Sequence, residues 1–200
     1  MTNILQQLNA EMTGAVRQVR TSLVRVTNGG SGAGAGTIWN SEGLILTNAH
    51  VVHDARPNVT LPDGRSLPAG IVAYDAACDL ALLSVKAHGL PALALGDSRS
   101  VRPGEVVFAV GHPWGIAGAV TAGVVIGVGH DLPEMSGARR GPAREWLMAS
   151  LVLRPGNSGG PLVDVRGRLL GVNTIMTGPE VGGAVPVHVV DAFLREALLN

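Results

Sequence analysis

Ser158 stands in the octapeptide Arg154-Pro155-Gly156-Asn157-Ser158-Gly159-Gly160-Pro161, a hydroxyl set among three glycines immediately before the strand-like PLVDV. A serine hydroxyl is a poor nucleophile until a base takes its proton, and attack on a carbonyl needs hydrogen-bond donors aimed at the developing oxyanion. Glycines let backbone N–H groups come close to a substrate, so the amides of Gly156 and Ser158 are candidate donors. A base is offered by His50 in Leu46-Thr47-Asn48-Ala49-His50-Val51-Val52, at the end of an apolar strand where the chain turns into a short helix. An orienting carboxylate is offered by Asp79, which opens the apolar run LALL. Asp75, at the end of the preceding strand, competes with it or caps the turn. Each signal alone has a bland reading: a glycine-rich turn, a surface histidine, a turn-capping aspartate. The three together describe nucleophile, base and orienter, the set that acyl transfer requires.

The elements that must hold these residues are short. Ile4, Leu8, Met12, Val16 and Val19 repeat at helical spacing, which predicts an amphipathic helix over the first twenty residues lying on the body of the protein. From Ser22 onward come β-branched and leucine-rich runs punctuated by Gly, Pro, Asn and Asp: SLVRV, GTIW, LILT, NVTL, GIVAY and DLALLSV. Gly96–Gly104 interrupts the pattern. It resumes with EVVFAV, AVTAGVVIGVG, EWLMAS, GPLVDV and RLLGVNTI, and Val189–Leu199 reads as a closing helix with Asp191 near its positive end. The expected organisation is a helix over 1–20, a β-unit over 21–97 and a second over 98–200, all-β in class. Two Greek-key barrels or two sandwiches both satisfy it.

Composition narrows the function. Two hundred residues, 46% of them hydrophobic, suffice for a packed core, and fifteen basic residues balance fifteen acidic ones, so no global field draws the chain to nucleic acid or to an anionic membrane. The single cysteine, Cys78, excludes an internal disulfide and a cysteine-rich zinc site. The N-terminal residues contain neither a basic leader before an apolar run nor a stretch near the roughly 18 apolar residues that a membrane span needs. A complete chain is therefore expected in the cytoplasm, and one that has lost a signal peptide in the periplasm or outside the cell. His50 and His53 lack the glutamate of HExxH and a third ligand, so no metal or other cofactor is implied. Gly29–Gly36 lacks the register and the following Lys-Ser or Lys-Thr of a phosphate cradle and reads as a flexible hairpin loop. GxSxG would also suit an α/β-hydrolase elbow, but strand rather than helix follows Ser158, and only 42 residues remain for the other partners.

The blocks TNAHVV, DLALL and GNSGGP, in that order, resemble the three catalytic blocks of trypsin-fold serine proteases of the HtrA/Deg group. The separations, 29 residues from His50 to Asp79 and 79 from Asp79 to Ser158, are similar to that group's as well. The likeness continues through VGHPWG, GVVIGVG, GVNTI and AVPVHVV, over roughly residues 20 to 195. It implies two six-stranded antiparallel Greek-key barrels with a helix at each end. His50 would be the base, Asp79 its orienter and Ser158 the nucleophile, with Gly156 and Ser158 forming the oxyanion hole. In that family the residue six before the nucleophile lies at the base of the substrate pocket, here Val152, joined by Leu153, Ile175 and Met176. Such a pocket favours small or medium aliphatic side chains and disfavours charge, because burying an unpaired ammonium is costly. The resemblance further implies unfolded protein or peptide substrates and active-site ordering by the loops His130–Arg144, Leu153–Asn157 and Met176–Gly183. The group commonly carries a C-terminal PDZ domain, and this sequence is expected to hold the protease domain alone. The group often trimerises through aromatic residues near the N-terminus, whereas the first aromatic here is Trp39, which leaves a monomer open. A holdase or binding module with dormant proteolysis is the alternative from another class.

Overall fold

The computed structural model describes residues 3–29, 33–52, 56–130 and 145–199. Among them, alternating apolar residues build β1 (Leu23–Thr27), β2 (Ala33–Ile38), β3 (Leu44–Thr47), β4 (Asn58–Thr60), β5 (Ser66–Asp75) and β6 (Leu80–Val85), which close into a barrel in the order β1-β2-β3-β6-β5-β4. A second closed barrel follows from β7 (Val106–Gly111), β8 (Ala119–Gly129), β9 (Trp146–Ser150), β10 (Pro161–Asp164), β11 (Leu169–Gly178) and β12 (Val181–Pro186), in the order β7-β8-β9-β12-β11-β10. All twelve pairings are antiparallel. Closure removes the free edges that open sheets must protect. The choice between barrels and sandwiches is thus settled for barrels, and the two share one strand order although no repeat is legible in the sequence.

Each barrel has its own interior. Val24, Ile38, Ile45, Val59 and Leu83 fill the first, and Val107, Leu147, Leu162 and Leu170 fill the second. A third apolar cluster joins them, with Leu46, Leu80 and Leu82 of the first barrel packed with Phe108, Val110, Val163 and Val172 of the second. Burying side chains of this size contributes about 1.5–3 kcal/mol each, so the interface between barrels is a core in its own right and fixes one relative to the other.

Helix α1 (Ile4–Thr21) starts at a capping box in which the Asn3 side chain accepts from the helix amides and Gln6 reaches back to the Asn3 N–H. Only its C-terminal half packs as expected. Ala15 and Val19 are buried and Met12 and Val16 half-buried against the inter-barrel cluster, whereas Ile4 (78% exposed) and Leu8 (51% exposed) face solvent. Helix α3 (Val187–Leu199) begins two residues earlier than its sequence suggests, directly after β12, which places Asp191 beyond the first turn. Its buried residues Val187, Val190 and Leu194 belong to the inter-barrel cluster.

Two further expectations are corrected. Only the end of the run Gly29–Gly36 departs from a loop: Gly29 lies in a bend, residues 30–32 lie outside the described residues, and Gly34 and Gly36 are strand residues of β2, where a Cβ on Gly34 would run into Val51 and the Ser158 carbonyl. Met176–Gly183 is mostly strand, a hairpin in which β11 and β12 pair up to Gly178 and Val181, and Glu180 takes φ +63° in the turn. Residues 131–144 of the His130–Arg144 loop, and His53, lie outside the described residues.

Candidate active site

β3 ends at Thr47 and the chain turns at once into the short helix α2 (Ala49–Val52), which lifts His50 to the end of the first barrel. Opposite it, the turn between β5 and β6 is shaped by Asp75, whose Oδ1 accepts the amides of Ala77 and Cys78 at 2.7 and 3.0 Å. The competition between the two aspartates is thereby resolved: Asp75 caps the turn and Asp79 faces the histidine. Asp79 takes φ +56°, a left-handed conformation rare outside glycine, and its Oδ1 accepts the His50 amide at 3.0 Å. Its Oδ2 lies 2.8 Å from His50 Nδ1. A carboxylate only accepts, so Nδ1 carries the proton and Nε2 is left with its lone pair, the form a general base requires. The Asp79 side chain is 12% exposed and that of His50 48%, so the pair is anchored at one end and open at the other.

The second barrel supplies Ser158 from the connection between β9 and β10. Pro155 and Gly156, the latter at φ +102°, form the central residues of a turn closed by Asn157 N–H donating to Arg154 O at 2.8 Å, and Asn157 Oδ1 accepts the Arg154 amide at 2.9 Å. Among the described residues the N–H groups of Gly156 and Ser158 donate no hydrogen bond. The turn is braced on both sides. The Ser158 carbonyl accepts the Ala35 amide at 2.8 Å across the inter-barrel seam, and the Gly156 carbonyl accepts that of His112 at 2.8 Å. The Arg154 guanidinium stacks 4.6 Å from the ring centre of Trp114, itself at φ +54°. The Ser158 hydroxyl donates to the Thr174 carbonyl at 3.4 Å, and no Ser158–His50 hydrogen bond exists among the described residues.

The residues expected to line a pocket sit on the Ser158 side. Leu153 is buried, Val152 and Ile175 are half-buried and Met176 is exposed. The Leu153 amide meets Met176 Sδ at 3.0 Å. Gly182 and Gly183 were not anticipated. A Cβ on Gly182 would overlap Leu151 and Leu153, and one on Gly183 would press on Ile175 and Met148, so these glycines of β12 leave the room in which the side chains sit.

Three polar residues near the site also escaped sequence reasoning. Asn48 and Thr174 are buried between the barrels, and the only trace of them in the sequence is a polar residue flanked by apolar strand ends in LTNAH and GVNTI. His112 lies beside Gly156. Burial pushes its imidazole below the ordinary value of 6.5; the nearby Val24 carbonyl opposes this, and Arg25 and Arg20 lower it further. The Gly118 amide reaches its Nδ1 at 3.4 Å, while the buried Nε2 has no well-formed hydrogen bond among the described residues.

Two closed six-stranded barrels, with a histidine–carboxylate pair on one and a serine in a glycine-built turn on the other, define a trypsin-type double barrel. The model of the trypsin-like peptidase domain matches residues 34–172. The chain belongs to that family and, within it, to the HtrA/Deg-type serine proteases. It is 38% identical over 167 residues to serine protease HTRA1 of Xenopus tropicalis, covering 82% of this chain and 36% of the relative. It is 33% identical over 173 residues to a probable periplasmic DegP-like serine endoprotease of Chlamydia pneumoniae, covering 82% and 34%. Among solved structures, the serine endoprotease of Yersinia pestis superposes with TM-score 0.81 at 30% identity, covering 94% of this chain and 67% of that one. The HtrA-type protease AlgW with a tripeptide superposes with TM-score 0.83 at 30% identity, covering 92% and 62%. The chain spans about a third of the length of these curated relatives. No helix of the described residues is long and apolar enough to cross a membrane, and no group of three His, Cys, Asp or Glu among them could hold a metal ion.

Proposed function

We propose that the chain is a serine endopeptidase that cleaves unfolded or misfolded proteins after small or medium aliphatic residues, with His50, Asp79 and Ser158 as its triad. The observation that carries the reading is the 2.8 Å contact between His50 Nδ1 and Asp79 Oδ2, which leaves Nε2 unprotonated; the two amides of the serine turn that donate no hydrogen bond among the described residues support it. Ser158 Oγ bonds to the substrate carbonyl carbon while His50 Nε2 takes its proton. The Gly156 and Ser158 amides stabilise the oxyanion. The C–N bond breaks as the amine leaves with the proton from His50, and water, deprotonated by the same nitrogen, releases the acyl group and restores Ser158. Leu153, Ile175 and Met176 are apolar residues on the Ser158 side, which supports aliphatic selection. That AlgW is described with a tripeptide and a decapeptide supports extended peptides as the substrate class.

One observation favours a second reading, a binding module with dormant proteolysis: the Ser158 hydroxyl is turned to Thr174 O rather than to His50. Degradation of casein by the wild-type chain and by Ser158→Ala, with cleavage sites mapped by mass spectrometry, separates the two. The expected result is cleavage after aliphatic residues that falls by about 10⁶-fold in the variant. Equal inactivity of two folded proteins would put the binding module ahead.

A further inference from the structure

We infer that Asn48 is a positioning residue that holds the two halves of the proposed site in register across the barrel interface; the inference rests on the triad reading above. Asn48 is fully buried, two residues before His50, at the point where β3 gives way to α2. Its Nδ2 donates to the carbonyl of Asp79 at 2.9 Å and to Thr174 Oγ1 at 3.0 Å. The orientation of the amide is forced. The Asp79 carbonyl can only accept, and Thr174 Oγ1 already donates to Val172 O at 2.9 Å, so both partners demand the NH2 end.

The two contacts reach both halves of the chemistry. Asp79 is the left-handed residue whose carboxylate orients His50, so a bond to its carbonyl fixes the peptide unit on which that strained geometry depends. Thr174 is the residue whose carbonyl receives the Ser158 hydroxyl. One side chain on the first barrel therefore touches the orienter's backbone and the second-barrel strand that meets the nucleophile. Packing alone does not account for it. Asn48 Oδ1 is buried with no hydrogen-bond partner among the described residues, a penalty that an apolar residue of similar size would avoid. What the amide contributes is its two donors.

The test compares Asn48→Ala, Thr174→Val and the double variant, with kcat and KM measured on a chromogenic peptide amide carrying valine at the scissile bond. Rates are normalised to active sites titrated with diisopropyl fluorophosphate. Misplacement of reacting groups by about 1 Å costs on the order of 10²-fold, so kcat per titrated site should fall by about that factor in Asn48→Ala while KM changes little. Thr174→Val should follow in the same direction, and Thr174→Ser, which keeps the hydroxyl, should be less impaired. Because both single variants break the same Asn48–Thr174 bond, the double variant should be less damaged than the product of their effects. Wild-type kcat in folded Asn48→Ala, or strict multiplicativity in the double variant, would overturn the inference. If Asn48→Ala does not fold, an undiminished kcat in Thr174→Val overturns it alone. A failure of the triad reading shows itself differently, as no labelling of the wild-type chain or as activity surviving in Ser158→Ala, and it would remove the inference with it.

Discussion

The two barrels have the same connectivity, and His50 and Ser158 occupy the same link in each: β3 to β4 in the first, β9 to β10 in the second. The two links are stabilised in opposite ways. Around His50 the holding is done by side chains of ordinary residues, with Asp79 accepting two bonds from His50 and Asn48 securing Asp79. Around Ser158 side chains contribute through Asn157 and through Arg154 on Trp114, but the close fit is made by the absence of side chains, since Gly156, Gly159 and Gly160 each sit where a Cβ would collide with backbone of a neighbouring segment. Topology thus decides where a reactive group can be mounted, while loop composition decides which group is mounted and how rigidly. A base needs a fixed tautomer, which a carboxylate supplies. An oxyanion turn needs free amides at close range, which glycine supplies.

The sharpest way to break this comparison is Asp79→Asn. Asparagine can still accept the His50 amide through Oδ1, but it then presents an NH2 to Nδ1 and forces the proton onto Nε2. By the triad logic kcat should fall about 10⁴-fold with the fold intact. Circular dichroism and peptide hydrolysis together check it, and near-normal turnover would mean that the first barrel's side-chain bonds do not set the histidine.

On the glycine side the expected loss is of stability. Gly159 lies at φ +83° and a Cβ there would overlap the Ala35 carbonyl and Thr47 Oγ1 of the first barrel. The left-handed backbone alone costs a larger residue about 1–3 kcal/mol, and the collision adds to it, so Gly159→Ala should unfold at markedly lower denaturant. Gly70→Ala and Gly127→Ala are the controls: both are strand glycines with open space around them and no positive φ. They should change stability by no more than about 0.5 kcal/mol. Equal effects at all three positions would show that the serine turn is not braced by the close approach of the barrels.

This contrast also explains what the sequence could show. The side-chain half of the site is legible because its chemistry is written in residue types: His50 after an apolar strand, Asp79 before another. What residue types alone leave open there is orientation: Asp75 and Asp79 both suit the role until the family resemblance favours Asp79 and the turn geometry shows Asp75 capping the turn. The glycine half reads ambiguously. Gly34 and Gly36 look like a loop, yet they are strand residues made small by the proximity of Val51, Ser158 and Val24. β12 escapes a periodicity reading because Gly182, Gly183 and Pro186 dilute its apolar signal, although it closes the second barrel. The shared strand order leaves no repeat because a barrel interior asks only for alternating apolar residues of adequate volume, which many unrelated sequences satisfy. The exposed half of α1 has the right period, but periodicity cannot say how much of a helix the barrels cover. Asn48 and Thr174 are invisible for another reason: a buried polar residue is recognised by its partners, and these lie 31 and 126 residues from Asn48.

The smallest expected effect sharpens the comparison through its two histidines. His50 on the first barrel is half-exposed and held by a carboxylate; His112, at the end of β7 on the second, is half-buried with its Nε2 out of contact with solvent, has no carboxylate partner among the described residues, and has Arg20 and Arg25 acting on it. Burial lowers its folded-state pKa below the ordinary 6.5, so as pH falls through that value the unfolded chain takes up a proton that the folded chain refuses. Stability is therefore full above the unfolded value, declines as pH drops below it, and levels off once the folded form is protonated too. His112→Gln removes this one contribution while leaving every other titrating group in place. The difference in Tm between the two proteins should be constant above about pH 7.5 and shift in favour of the variant below about pH 6. Because the His112 amide braces the Gly156 carbonyl through the backbone, which the variant keeps, turnover at neutral pH should survive better than in Asp79→Asn. A Tm difference that ignores pH would mean that the imidazole is relieved on protonation by a neighbour or by water, and that the second barrel tolerates a buried charge beside its serine turn.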